Sequence, residues 1–423
     1  MAENAYAAIK IRDFRLLLAG RLLVTVAVQI QGMAVGWQIY SLTHNPLALG
    51  LVGLSEAIPA IGVALYAGHV ADMVDRRRII LWSVFTLTLC MALLSVCSYQ
   101  LAQKESLQWI IYAVIALSGF ARGFYGPGIF GLTSDIVPRQ HYGNAAAWQS
   151  TVWQASAVAG PMIGGMLYIW LAAPATYMVS SLLLIIGFVL FLFVRARTVH
   201  EKPAEKISVV ENIAQGVRFV FSNQIILAAM AMDLFAVLFG GAVALLPIFT
   251  KEVFHMGPQA LGVLRAAPCV GAFCTATILT HHPIATHTGK VFLAVVAGFG
   301  LCMIAFGLST NFYLSFVLLA LSGVLDGISV WVRSTIYQLL TPNDMKGRIA
   351  AVNSMFIGSS NEIGEFESGV TAKLMGLVPS VVFGGCMTLL VVLYSGIKAP
   401  KLRRLHMHDL YKQSEEMAQL KSS

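Results

Sequence analysis

Residues Ala116–Gly123 read Ala-Leu-Ser-Gly-Phe-Ala-Arg-Gly, and Ala320–Gly327 read Ala-Leu-Ser-Gly-Val-Leu-Asp-Gly. The copies lie 204 residues apart (320 minus 116). The same separation aligns Pro138 and Gly143 with Pro342 and Gly347, Ala146-Ala147 with Ala350-Ala351, and Gly160 and Gly165 with Gly364 and Gly369. Agreement in one register across three elements identifies two halves of a duplicated unit. Both copies sit in apolar stretches long enough to cross a bilayer, and the one chemically consequential change sets Arg122 against Asp326. Opposite charges at matched positions of two apolar repeats point to a transporter with its working site between them.

Composition supports the same solvent. Hydrophobic residues make up 57% and charged residues 11% of the 423, where a soluble domain has about a quarter charged. So little polar surface cannot coat a globule in water, so the chain must sit in lipid. Apolar runs long enough for a hydrocarbon core of roughly 30 Å recur about twelve times. They lie near 14–40, 49–70, 79–98, 108–130, 143–170, 175–194, 223–249, 259–280, 291–309, 312–338, 348–376 and 379–397. The expected fold is an all-α membrane protein of twelve transmembrane helices in two pseudo-symmetric six-helix bundles. The expected divisions are a first bundle at 1–194, a cytoplasmic linker at 195–222 with a helix-like stretch around Val210–Phe221, a second bundle at 223–397, and a cytoplasmic tail at 398–423, read as a solvated helix.

The net charge of +8 does not mark a nucleic-acid binder, because the basic residues sort by loop. With the N-terminus inside, the inner segments hold Lys10, Arg12 and Arg15, the Arg76–Arg78 triplet, Arg139, the linker cations, Lys290, Lys346, Arg348 and the basic tail, while the outer ones hold Lys104 and Lys251. This positive-inside bias places both termini in the cytoplasm. No cleavable signal is expected, since Met1–Lys10 carries an acid and the first apolar run is too long. The six cysteines lie scattered within apolar segments, without metal-ligand or disulfide spacing. No cofactor or metal is expected; the histidines near His281–His287 read as a solvated loop, with a metal site the lesser alternative. No phosphate-binding glycine loop or nucleophile constellation appears, so an enzyme is not expected.

A charge within lipid costs about 2.5–3.5 kcal/mol even on insertion scales, so intramembrane charges report which helices avoid lipid. Spans three, six, nine and twelve carry none. The others carry Arg21, Glu56, Arg122, Asp233, Arg265, Asp326, Arg333, and Glu362, Glu365 and Glu367 with Lys373. Every third helix is therefore expected to be an outer support around a polar interior. Arg122 needs a counter-charge, which Asp326, Glu56 or a bound substrate could supply. Glu362 and Glu365 share a helix face, and crowded carboxylates repel and hold protons, as a proton carrier must. These acids and arginines are the candidates for substrate binding and proton coupling, with structural hydrogen bonding as the alternative for each. Trp37, Trp148, Trp153, Tyr125, Trp331 and Tyr337 fall on cavity-bordering helices, where aromatic faces could stack a planar ligand or simply pack.

Two motifs carry a family resemblance. Gly68, Asp72, Arg76 and Arg77, between spans two and three, match the inner-loop pattern Gly-x-x-x-Asp-x-x-Gly-Arg-(Arg/Lys) of the major facilitator superfamily, with Asp75 replacing its second glycine. In that family the acid and arginines form a cytoplasmic latch that breaks as access changes. Gly160, Pro161, Gly164 and Gly165 resemble the family's antiporter motif, Gly-Pro-x-x-Gly-Gly; ordinary tight packing of small residues is the alternative. Arg122 in Arg-Gly-Phe-Tyr-Gly-Pro-Gly resembles the fourth-helix arginine motif implicated in proton transfer. The stretches Pro342–Arg348 and Asn361–Gly369 are similar to the branch that holds bacterial enterobactin and multidrug exporters. The resemblance implies the major facilitator fold and a monomeric, multi-pass secondary transporter of the bacterial inner membrane. It would export a siderophore or related small organic molecule in exchange for protons by alternating access. A multidrug exporter or an importer of the same fold are the alternatives, and a non-transporting receptor is the least supported.

Overall fold

A computed structural model describes residues 6–101, 106–195, 209–281, 287–342 and 345–406. Some helical side chains, Gly68 and Asp72 among them, lie outside what is described, as does the tail beyond 406.

Helix α1 (Arg12–Thr43) ends at His44, whose left-handed φ of 49° stops it. Asn45 caps α2 (Pro46–Met73) by accepting from the Leu47 amide, with Pro46 at the first helical position, where a missing N–H costs nothing. Asp75 caps α3 (Arg76–Gln100) in the same way through Arg77. Helix α4 (Ser106–Ile136) precedes α5 (Tyr142–Leu192), which carries two of the expected spans in one element broken only at Ala172 (φ 58°, ψ 178°). Within this unit, which takes in 1–205 together with Leu246–Ala266, α1 packs chiefly on α5, α2 on α4, and α3 on both α4 and α5.

The second unit takes in 206–245 and 267–423. Here α6 (Val209–Ser222) fills the helix-like part of the connecting stretch, and Asn223 caps α7 (Gln224–Phe239) through the Ile225 and Ile226 amides. The expected span 223–249 is not one helix. It breaks at Gly240-Gly241, passes through a 3-10 turn, Ala242–Leu245, and one α-helical turn, α8 (Leu246–Ile248), and ends in a π-helical turn, Phe249–Val253. The break seats another helix: a side chain at Gly241 would collide with Ser368 and the Gly364 carbonyl. Helices α9 (Pro258–His281), α10 (Thr288–Leu308), α11 (Phe312–Leu340), α12 (Lys346–Met375), α13 (Leu377–Lys398) and the short α14 (Pro400–Arg403) follow. In this unit α10 packs on α13 and α11, while α7 packs on α12 and α13.

Among the described residues, ten helical stretches are long and apolar enough to cross a membrane, with the broken stretch Gln224–Val253 counted as one. One of them is the 51-residue α5, and α12, bearing Glu362, Glu365, Glu367 and Lys373, is not in that set. The surface is that of a protein in lipid. On α3 the exposed Trp82, Phe85, Leu89, Leu93 and Val96 form one stripe, and Ile80, Val84, Leu87, Met91 and Leu94 are buried opposite. Leu390, Leu393, Tyr394 and Ile397 make a similar exposed stripe on α13. All six cysteines are free thiols.

Candidate functional site

The repeated octapeptides are helix-approach surfaces. In α4, a Cβ on Gly119 would coincide with the backbone of Glu56, and one on Gly123 would meet Ala60 and Val63 of α2. In α11, the matched Gly323 and Gly327 press on Pro268, and on Ala272 and Thr275, of α9. The facing residues 56, 60 and 63 correspond to 268, 272 and 275, each 212 apart (268 minus 56, 272 minus 60, 275 minus 63), eight more than the register of the glycines. The counterpart of Glu56 is therefore Pro268, and the acid has no charged equivalent in the second repeat.

That offset explains where the charges find partners. Arg122 ion-pairs with Glu56, one of the counter-charges its sequence left open. The second unit uses a different arrangement. Arg333, two helical turns beyond Asp326 on α11, pairs with Asp233 of α7, and both side chains are nearly closed to solvent at 5% and 9% exposure. Asp326 is 46% exposed and places a carboxylate oxygen 3.9 Å from the same guanidinium. A buried ion pair needs further hydrogen bonds to offset desolvation, and Arg333 Nε donates to the Ser329 carbonyl at 3.4 Å. Asp233, Asp326 and Ser329 border one small void of about 10 Å³, at the lower limit for a single water. Chemically, this is one guanidinium shared by two carboxylates of unequal burial.

Arg21 of α1 donates to Gln149 of α5, whose amide donates in turn to Thr133 of α4 at 2.6 Å, so three helices are tied by one polar chain. The Arg265 guanidinium lies over Gly32 and Gly36 of α1. Glu362, Glu365 and Glu367 are half-buried on α12. Gly364, on that helix, seats against the Val237 and Leu238 carbonyls of α7.

Arg76 and Arg77 are both engaged. Arg76 meets Asp135 of α4 at 2.5 Å and also donates to the Gly131 carbonyl at 3.2 Å. Arg77 donates to the carbonyls of Phe191, at 3.1 Å, and Leu192, where the end of a helix dipole favours a cation. Asp75, in the place of a glycine, needs no left-handed backbone because its φ is −52°. Its carboxylate caps α3 instead, accepting from the Arg77 amide at 2.9 Å. Gly160 and Gly164 face Gln29 and Ile30 of α1, while Gly165 faces Pro258 and Gln259, so the Gly-Pro-x-x-Gly-Gly stretch admits close neighbours on two sides.

Two features were not read from the sequence. Asp135 is a lone acid at a helix end, where a solvated side chain is the default reading; the signal was its place on the same side of the membrane as Arg76. A second cluster ties α1 to the π-helical turn. Tyr40 Oη donates to Glu252 at 3.0 Å, and Lys251 Nζ lies 3.2 Å from His44 Nε2 and 5.7 Å from the Tyr40 ring centroid.

Comparison with known proteins shows the family and the fold. A family model described as transmembrane secretion effector matches residues 3–421. Proteins named enterobactin exporter EntS from Citrobacter koseri and Shigella flexneri are 25% identical over 392 residues, 92% of either chain. Among solved structures, a POT family transporter in complex with 5-aminolevulinic acid superposes with a TM-score of 0.73 at 12% identity, covering 92% of this chain and 96% of that one. A bacterial homologue of the human lysosomal transporter Spinster, inward-facing and unoccupied, gives 0.67 at 14% identity, covering 95% and 98%.

Proposed function

The chain belongs to the transmembrane secretion effector family of major facilitator transporters, and from that premise we propose that it exports a siderophore or related small organic molecule across the bacterial inner membrane in exchange for protons. Both termini lie in the cytoplasm, as the loop cations direct. The proton is carried by Glu362 or Glu365 on α12, or by one of the acids that neighbour arginines: Asp326 and Asp233 with Arg333, and Glu56 with Arg122. Protonating such an acid releases its arginine, which is then free for an anionic cargo or a changed helix contact. The alternation of access uses the rocking of two repeats about a midplane site. The latch of Gly68, Asp72, Arg76 and Arg77 holds one state closed, and Gly160, Pro161, Gly164 and Gly165 let helices slide at close range.

The observation that carries this reading is the end-to-end likeness to the enterobactin exporters, which spans nearly the whole of both chains. The test is a comparison of siderophores inside and outside iron-limited cells with and without the protein. Retention of one chelator inside the deletion strain, reversed by complementation, is the expected outcome. Unchanged chelators together with raised sensitivity to amphipathic drugs would overturn the siderophore assignment and leave drug export in its place.

A further inference from the structure

A cleft of about 580 Å³ in the second unit lies apart from these charges, between α7 and α13. The two helices are pinned at one end, where Gly384 of α13 meets the Phe239 carbonyl and the Phe239 and Phe383 rings pack edge to face. At the other end the Gln224 side-chain amide donates to the Lys398 carbonyl at 3.0 Å. The walls are apolar: Leu227, Ala231 and Phe235 on α7, Met387, Leu390 and Tyr394 on α13. Leu390 and Tyr394 are 56% and 66% exposed on the stripe that faces lipid, so the cleft opens sideways into the bilayer.

We infer that this cleft holds an anionic phospholipid, with an acyl chain between α7 and α13 and its phosphate at Lys398. Length and charge both point to a lipid. From Leu227 to Phe239 the cleft runs about 18 Å along α7, close to half of a hydrocarbon core of roughly 30 Å and so to the depth of one leaflet. No carboxylate lines it, while Lys398 lines one end, followed along the chain by the exposed Lys401, Arg403 and Arg404. A cationic rim on an apolar slot between membrane helices is the arrangement that selects acidic headgroups.

The test is native mass spectrometry of the full-length protein released from micelles containing either phosphatidylglycerol or phosphatidylcholine. Phosphatidylglycerol is expected to remain bound as a one-lipid adduct at several times the fraction of phosphatidylcholine. Lys398→Ala should lower that adduct about fivefold, as one cation near a headgroup allows, Lys398→Arg should restore it, and Ala231→Trp should remove it by filling the slot. If Ala231→Trp does not fold, the two Lys398 variants decide. Equal retention of both lipids, an adduct unchanged in the Lys398→Ala protein, or a lipid-free dimer that Ala231→Trp dissociates would each overturn the assignment.

Discussion

Arg333 is held by two carboxylates of unequal burial, and the inequality is measurable. Removing one partner from a buried pair leaves an uncompensated charge and costs about 3–5 kcal/mol, whereas Asp326 lies 3.9 Å from the guanidinium, beyond hydrogen-bond distance, so its loss should cost less. Asp233→Asn is therefore expected to destabilise the protein more than Asp326→Asn in detergent unfolding. Asp326, already 3.9 Å away, can close on the guanidinium once Asp233 is neutral, so the double variant should lose more than the two single losses added. Strict additivity would mean that the carboxylates do not share Arg333. The glycines of the octapeptides give a second test. A methyl at Gly119 or Gly323 would coincide with a backbone carbonyl of the neighbouring helix, while one at Gly126 meets open space. Gly119→Ala and Gly323→Ala should each cost about 1–3 kcal/mol, and Gly126→Ala should be neutral or mildly stabilising. Equal unfolding midpoints for all three would remove the close approach from the account.

At the scale of elements, what could be read followed from where the sequence changes character. The connecting helix expected around Val210–Phe221 appears as Val209–Ser222, with charged linker residues before it and the Asn223 cap of α7 directly after it. The break after Phe239 was invisible to hydropathy, since no charge interrupts the sequence through Ile248, and Gly240-Gly241 and Pro247 were its local signs. Its cause is spatial: Gly240-Gly241 leaves room for Gly364 and Ser368, and nothing local announces that another helix will need the space. The partner of Arg122 stayed open for the same reason. The spacing of Gly119 and Gly123 marks a face that will be approached closely, but not which helix approaches it or which residue arrives opposite. Gly241→Leu therefore tests an element rather than a side chain. It should push α12 from the break in α7 and lower the folded fraction, measured as monodisperse yield in detergent. Gly358→Leu, on the same α12 but facing open space, should leave that yield unchanged.

For the whole molecule the demanding claim is coupling, because it requires charges in separate helices to act on one equilibrium. Arg122, Asp326 and Glu365 separate the possibilities. Arg122→Ala leaves Glu56 without its ion-pair partner, so both substrate exchange and proton-driven accumulation should fall in proteoliposomes. Glu365→Gln mimics a permanently protonated acid. If Glu365 carries the proton, the variant should retain substrate exchange at equilibrium and lose accumulation driven by an imposed pH gradient. Asp326→Asn should behave like Glu365→Gln if Asp326 carries a proton, and like the wild type if it only steadies Arg333. The energetic scale makes the difference readable: one charge moved through 100 mV is worth about 2.3 kcal/mol, which at equilibrium corresponds to roughly a fiftyfold concentration ratio. An uncoupled variant should approach a ratio of one. Gradient-driven accumulation at the wild-type level in all three variants would mean that the protein's energy enters through other residues, and these ion pairs would then be architecture alone.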